Sequence, residues 1–326
     1  MTGVHRLCVA PMMDWTDRHC RFFLRQVSPQ AFLYTEMITT GALLHGDVER
    51  HLGFDAAEHP VGAQLGGSEP DALAACARLV ARYGYDEVNL NIGCPSERVQ
   101  KGAFGACLMA EPELVADCVR AMREAAAMPV TVKHRLGIDR NEDYGLVRDF
   151  VARVAAAGCR TFIVHARNAV LKGLSPKENR EVPPLRHADV YRLKRDFPQL
   201  EIVLNGGIAS QAAVAAHLEH VDGVMLGRAA YHDPWVIAAP GITRVAVVRA
   251  MHSYAVRQAA TGTQLRPIAR HMLGLYHGHP RARLWRRMLS DPVRLSQDDP
   301  VLLLEALEAV ESGATKEAAH ERRIAA

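Results

Sequence analysis

Residues 71–134 decide the fold. The run DALAACARLVARY (71–83) sets Leu73, Cys76, Ala77 and Val80 along one side of a helix. Gly84 closes it, and EVNLN (87–91) then reads as a short strand running into Asn91-Ile92-Gly93-Cys94-Pro95. A second helical pattern at 112–126 carries Leu114, Val115, Cys118 and Met122 on one side, and VTVKH (130–134) follows as the next strand. Alternating helix and strand imply a parallel sheet with right-handed crossovers. Comparable short runs at 6–10, 31–35, 61–65, 161–165, 202–205 and 223–226 bring the predicted strands to eight. Gly158 and Gly223 stand where α-to-β connections turn. This is the content of a (β/α)8 TIM barrel. An open doubly wound sheet is the alternative, but no Gly-x-Gly-x-x-Gly follows the first strand.

After Trp235 the strand signal stops, and 245–259, 267–276, 281–289 and 300–311 read as helices. The expected organisation is therefore a barrel over 1–240 and a C-terminal helical domain over 241–326. In the third of these helices Arg283, Arg286 and Arg287 share one face at i, i+3 and i+4, opposite Leu284, Met288 and Leu289.

The 326 residues are 49% hydrophobic and 23% charged, enough apolar material for a large core. No run approaches the ~20 apolar residues of a membrane span, and the first residues lack a signal peptide's apolar stretch. The seven cysteines are scattered and form no Cys-x-x-Cys pair. They read as reduced thiols, neither a disulfide framework nor a zinc site. A soluble, cytoplasmic protein is expected. Net charge is only +3, yet 241–290 holds nine arginines and no acidic residue. Such a block suggests an anionic partner, or else a solvated face in an arginine-rich chain.

Ligands of this fold bind at the C-terminal ends of the strands. Those ends carry Pro11-Met12-Met13-Asp14, Gln64, Asn91 to Pro95, Lys133-His134, His165-Ala166-Arg167, Asn205-Gly206-Gly207-Ile208 and Gly227-Arg228. Gly206-Gly207 and Gly227 after the last two strands suit a phosphate held by backbone N–H groups, with Arg228 adding a charged donor. Lys133 can form a Schiff base, bind phosphate or stabilise an anion on a cofactor ring. Gln64, Asn91 and His165 suit hydrogen bonds to a polar heterocycle. No array of paired carboxylates appears, against glycosidase or metal-hydrolase chemistry, and no metal site is expected. Cys94 lies in a strand-end loop with a glycine-rich stretch behind it (101–106), which reads as a mobile active-site loop. Its thiol could be nucleophile or general acid. The other six cysteines read as small buried hydrophobes.

These motifs together, with Asn89-Leu90-Asn91-Ile92-Gly93-Cys94-Pro95, Val132-Lys133-His134-Arg135 and Asn205-Gly206-Gly207-Ile208 foremost, resemble the tRNA-dihydrouridine synthase family. Tyr34-Thr35-Glu36-Met37 and the stretch 172–185 are similar to its A branch, which acts on uridines 20 and 20a of the tRNA D-loop. The resemblance implies an FMN enzyme that uses NADPH to reduce the uridine C5–C6 bond. By matched position, Pro11, Met12, Met13 and Gln64 would hold the isoalloxazine ring. Lys133 would stabilise charge at its N1–C2 end, and His165 would contact the ring or ribityl chain. Asn205, Gly206, Gly207, Gly227 and Arg228 would bind the phosphate. Cys94 would protonate C5, and Asn91 would hold the uracil edge. Lys177, Arg180, Arg283, Arg286 and Arg287 would grip the tRNA. No membrane and no obligatory protein partner is implied. A small-molecule FMN oxidoreductase of the dihydroorotate or dihydropyrimidine dehydrogenase type shares the barrel, the lysine and the cysteine. The acid-free arginine tail argues against it. A non-catalytic RNA-binding protein on a relic barrel is a further alternative, and there Lys133, Cys94 and Arg228 together have no purpose.

Overall fold

A computed structural model describes residues 3–324, with side-chain surroundings for all of these except Arg98 and 313–324. Eight strands follow one another as β1 (Leu7–Val9), β2 (Leu33–Thr39), β3 (Val61–Gly66), β4 (Glu87–Ile92), β5 (Val130–Arg135), β6 (Thr161–His165), β7 (Glu201–Asn205) and β8 (Gly223–Leu226). All pair in parallel with their neighbours, in the order β1-β8-β7-β6-β5-β4-β3-β2. The ring closes between β1 and the start of β2. There the Val9 N–H donates to the Phe32 carbonyl at 2.9 Å, and the Phe32 N–H donates to that of Leu7 at 2.8 Å. The architecture is the (β/α)8 barrel that the alternating pattern implies.

The Pro70–Tyr83 helix shows why the local sequence folds this way. Proline occupies its first turn, where no N–H partner is needed. Leu73, Cys76, Ala77 and Val80 are buried, and Gly84 ends it at φ 85°. The Pro112–Ala125 helix repeats the plan, with Val115, Cys118, Val119 and Met122 buried.

Two expectations need correction. The second strand is not 31–35 but Leu33–Thr39, because polar Thr35 and Glu36 interrupt its apolar run. Pairing with β3 shifts register between Tyr34 and Met37, and Thr35 Oγ1 accepts the Gln64 N–H at 3.0 Å there. The stretch 267–276 is not one helix. It comprises the end of a short helix, Leu265–Ala269, then a 3-10 turn, Arg270–Met272, and further turns. Gly274 sits so close to the His232 carbonyl that a Cβ would meet its oxygen at 2.5 Å.

Inside the barrel the side chains divide by strand. Cys8, Ala10, Phe32, Tyr34, Ile163, Val203 and Met225 form an apolar cluster against which Met12 packs. Along β3 to β5 the inward positions are polar instead: Gln64, Glu87, Asn89, Asn91, Thr131 and Lys133. On β4 these alternate with Val88, Leu90 and Ile92, which face the opposite way as the pleat requires.

By internal contacts the chain forms two compact units, Met1–Arg18 with Gln30–Gly227, and His19–Pro29 with Arg228–Ala326. The second is helical. Its Arg244–Ala259 helix buries Val247, Val248, Met251, Tyr254 and Ala255, and Phe22 stacks on Tyr254 with ring centroids 4.0 Å apart. Trp285 is fully buried, and its Nε1–H donates to the Met272 carbonyl at 2.8 Å. Among the described residues no helix is long and apolar enough to cross a membrane.

Candidate active site

The loop after β4 is built from its own first residue. Asn91 Oδ1 accepts the N–H of Gly93 at 3.0 Å and of Cys94 at 2.9 Å, an Asx turn that folds the chain back as it leaves the strand. From the other side, Arg135 Nε donates to the Gly93 carbonyl at 2.9 Å. Its Nη1 donates to the carbonyls of Asn168 and Asn179, also at 2.9 Å. One buried guanidinium thus ties the thiol loop to the loop after β6. Gln100 adds a second tie, donating to the carbonyls of Pro95 at 2.7 Å and Leu171 at 2.8 Å.

Cys94 is half-buried, with Sγ 3.6 Å from Ser96 Oγ. The Ala106 N–H donates to the Cys94 carbonyl at 3.0 Å. This approach needs glycine at 105, where φ is 77° and a Cβ would lie 2.6 Å from that oxygen. Half of the stretch 101–106, expected to be a mobile loop, is regular structure instead: Lys101 ends a Glu97–Lys101 helix, and Gly105 and Ala106 begin a Gly105–Ala110 3-10 helix.

Lys133 and His165 come from neighbouring strands, β5 and β6, each half-buried near the strand ends. Burial pushes Lys133 down to about 7; the charges of Arg135 and Arg180 add to this, and Cys94 opposes it. His165 is held well below the usual histidine range by burial, then by Arg135, Lys133, Arg167 and Arg180. Arg135 falls to about 10, mainly through burial. Arg135, Arg167 and Arg180 thus bring positive charge to bear on Lys133 and His165 beside the Cys94 loop, an arrangement suited to an anionic ligand.

The remaining expected residues divide as follows. Asn205 donates from Nδ2 to the Met225 carbonyl at 2.8 Å, leaving its amide oxygen available. Gly206 and Gly207 have φ of 112° and 74°, and a Cβ on Gly206 would lie 2.7 Å from the His165 ring. A Cβ on Gly227 would meet only Ala10 and Met12, at 3.8 and 3.9 Å, so this position has room. Pro11 and Met12 are half-buried, and Met13 is 56% exposed. Pro11 has no N–H, and that of Met12 is taken by Thr16 Oγ1 at 2.9 Å, so Met13 is the backbone donor this stretch can offer. Gln64 lies inside the barrel, only 1% exposed, between Asn89 and Asn91. Arg228 begins the Arg228–His232 helix of the second unit.

Lys177 and Arg180 are exposed around the Glu178–Arg180 turn, and Arg180 acts electrostatically on Lys133 and His165. In the second unit Arg283, Arg286 and Arg287 are exposed on the Ala282–Leu289 helix, while Trp285 and Leu289 are buried. Arg135, Gln100, Asn168, Asn179 and His187, whose Nε2 bonds the Gly206 carbonyl at 2.8 Å, carry no role in the sequence reading. The one available signal is Arg135's place two residues after Lys133, on the same strand.

Comparison with known proteins gives a consistent result. A family model described as dihydrouridine synthase matches residues 8–312. The tRNA-dihydrouridine(20/20a) synthase of Pseudomonas syringae is 56% identical over 310 residues, covering 92% of each chain. That of Escherichia coli K12 is 54% identical over 323 residues, covering 95% of this chain and 93% of its own. That of a Synechocystis species is 53% identical over 318 residues, covering 94% and 95%. Among solved structures, a 2-naphthoyl-CoA reductase complex superposes with a TM-score of 0.53 at 13% identity, over 71% of this chain and 49% of that one, a likeness of fold.

Proposed function

The chain belongs to the dihydrouridine synthase family, and on that premise we propose that it reduces uridines 20 and 20a of the tRNA D-loop to dihydrouridine, with FMN as cofactor and NADPH as reductant. The observation that carries this reading is the strand-end arrangement itself: a half-buried thiol on a doubly fastened loop, beside Lys133 and Arg135 on β5 and the His165 ring on β6.

The residues present fit FMN. Lys133 is depressed by burial and then by neighbouring cations, so an anionic ring would restore its proton and be held by it. Gly206, Gly207 and Gly227 combine left-handed backbone or open space with N–H groups able to face a phosphate, and Arg228 follows in sequence. Met13 N–H, the Asn205 amide oxygen and the His165 ring are further contacts for ring, ribityl chain or phosphate. Gln64 and Asn91 each retain one amide N–H, for the ring and for the uracil edge respectively. When bound and reduced, FMN supplies a hydride from N5 to uracil C6.

The chain's own share is the proton. Cys94 would give its thiol proton to C5 from the opposite face, held in place by Asn91 and Arg135. A base inside a helix stack cannot reach a barrel mouth, so the target nucleotide must be extruded while the enzyme grips folded RNA by shape and backbone. Lys177 and Arg180 in the first unit, and Arg283, Arg286 and Arg287 in the second, would supply cations for that grip. No protein partner or membrane is needed, and the cytoplasm is where such a substrate is met.

The test is direct. Purified protein should be yellow and release FMN on denaturation. With NADPH it should convert unmodified tRNA, with dihydrouridine mapped to positions 20 and 20a. A colourless protein that takes up no FMN would refute the reading. Rapid oxidation of the reduced protein by free uracil or dihydroorotate, but not by tRNA, would favour a small-molecule oxidoreductase.

A further inference from the structure

A continuous hydrogen-bond chain runs through the polar lane of β3 to β5, from the thiol loop to the opposite end of the strands. Asn91 accepts the Gly93 and Cys94 N–H groups and donates from Nδ2 to Gln64 Oε1 at 2.8 Å. Gln64 Nε2 donates to Asn89 Oδ1, Asn89 Nδ2 to Thr131 Oγ1, and Thr131 Oγ1 to Glu87 Oε1, each at 2.8 Å. Glu87 Oε2 receives His5 Nε2 at 2.7 Å, and His5 Nδ1 meets Glu201 Oε2 at 2.8 Å. Gln64, Glu87, Asn89 and Thr131 are at most 1% exposed, and Asn91 is 9% exposed, so water does not substitute for these partners.

The sense of this chain is dictated at its two ends. Backbone N–H groups can only donate, and a carboxylate can only accept. Thr131 has one proton; if Glu87 takes it, the hydroxyl must accept from Asn89. Asn89 then turns its NH2 to Thr131 and its oxygen to Gln64. Gln64 must turn likewise, and so must Asn91, whose oxygen is thereby aimed at the Gly93 and Cys94 amides. Each carboxamide is nearly symmetric in shape, so packing alone distinguishes its two orientations poorly. Within a low-dielectric interior, bonds aligned in one sense also reinforce one another.

We infer that Glu87 is a positioning residue for Cys94: its carboxylate, acting through Thr131, Asn89 and Gln64, fixes the orientation of Asn91 and with it the thiol loop. The role rests on the reading of Cys94 as the proton donor. His5 serves it by saturating the second carboxylate oxygen, while Glu201, the other partner of His5, lies outside the chain.

The test uses the full-length protein with its bound flavin and four variants, Glu87→Gln, Thr131→Val, Thr131→Ser and Glu201→Gln. Two quantities are measured: the rate of iodoacetamide alkylation at Cys94, resolved from other cysteines by peptide mass spectrometry, and turnover on tRNA. Glu87→Gln and Thr131→Val should raise the Cys94 rate about tenfold, the shift expected for losing one such bond from the loop, and lower turnover. Thr131→Ser keeps the relay and should match the parent. Glu201→Gln deprives His5 of one carboxylate just as Glu87→Gln does, yet should leave Cys94 unchanged. Should Glu87→Gln fail to fold, Thr131→Val against Thr131→Ser carries the same comparison. Unchanged Cys94 reactivity in Glu87→Gln or Thr131→Val, or an equal change in Glu201→Gln, overturns the inference. Full turnover by Cys94→Ala would instead overturn the acid assignment, leaving the alkylation rates to judge the chain separately.

Discussion

Replacing His5 with lysine should remove a specific pH dependence of stability. Both ring nitrogens of His5 face carboxylates, Glu87 at 2.7 Å and Glu201 at 2.8 Å, so both must donate and the ring is an imidazolium. Burial works against that charge, but the hydrogen bonds to Glu201 and Glu87 prevail and raise the ring from 6.5 to about 10. The folded state therefore holds a proton that the unfolded chain releases above 6.5. The resulting stabilisation is complete below 6.5 and disappears as pH rises through 10. Linkage between those two values makes this contribution a few kcal/mol at pH 7, of which about half or more is lost by pH 9. Lys133 acts in the opposite sense. Its folded value near 7 lies below the ordinary 10.5, so stability gains as pH rises between them, and the parent's total slope is partly cancelled. A difference measurement separates the two. Lysine at position 5 keeps a cation between the carboxylates but does not titrate between pH 7 and 9. Urea unfolding of both proteins across that window should show the parent losing about 2–3 kcal/mol more than His5→Lys. Parallel curves would refute the imidazolium bridge.

Three further outcomes follow from particular contacts. Arg135→Met removes three donors from buried carbonyls while relieving a costly buried charge. It should destabilise the protein by about 2–4 kcal/mol in a guanidinium melt and depress turnover with it. A loss below about 0.5 kcal/mol would show that the loops hold without it. Gly206→Ala places a Cβ 2.7 Å from the His165 ring at a φ of 112°, so it should release flavin on gel filtration where the parent retains it. Arg283→Glu combined with Arg286→Glu should weaken tRNA binding and lower the slope of log K against log salt by about 2, with flavin content unchanged. An unaltered slope would remove that helix face from the RNA contact.

What the sequence discloses follows the range over which each feature is encoded. The Pro70–Tyr83 helix and β4 are announced within a few residues by a proline, a glycine and an apolar period, and the Asn91–Cys94 turn by its own asparagine and glycine. The second strand is displaced because its polar members, Thr35 and Glu36, serve a register shift that depends on Gln64 in the next strand. Arg135 stands in the sequence just past the predicted strand, as the last residue of the Val132-Lys133-His134-Arg135 motif, with no role of its own. Its significance lies in carbonyls 33 and 44 positions away. His5 is beyond local reading altogether, since its two partners stand 82 and 196 residues further on. The residues proposed to touch ligands stand at or near strand ends, where the fold directs attention. Those that orient them belong to closure of the barrel and emerge only when distant strands become neighbours.

The proton transfer from Cys94 is tested most directly by reducing the flavin-loaded protein anaerobically and mixing it with unmodified tRNA in a stopped flow. The parent should be reoxidised rapidly, with dihydrouridine appearing at the same rate. Cys94→Ala should retain its flavin and its reduction by NADPH but be reoxidised by tRNA at least about 100-fold more slowly, the range a lost general acid implies. Equal reoxidation by the two proteins would contradict the assignment.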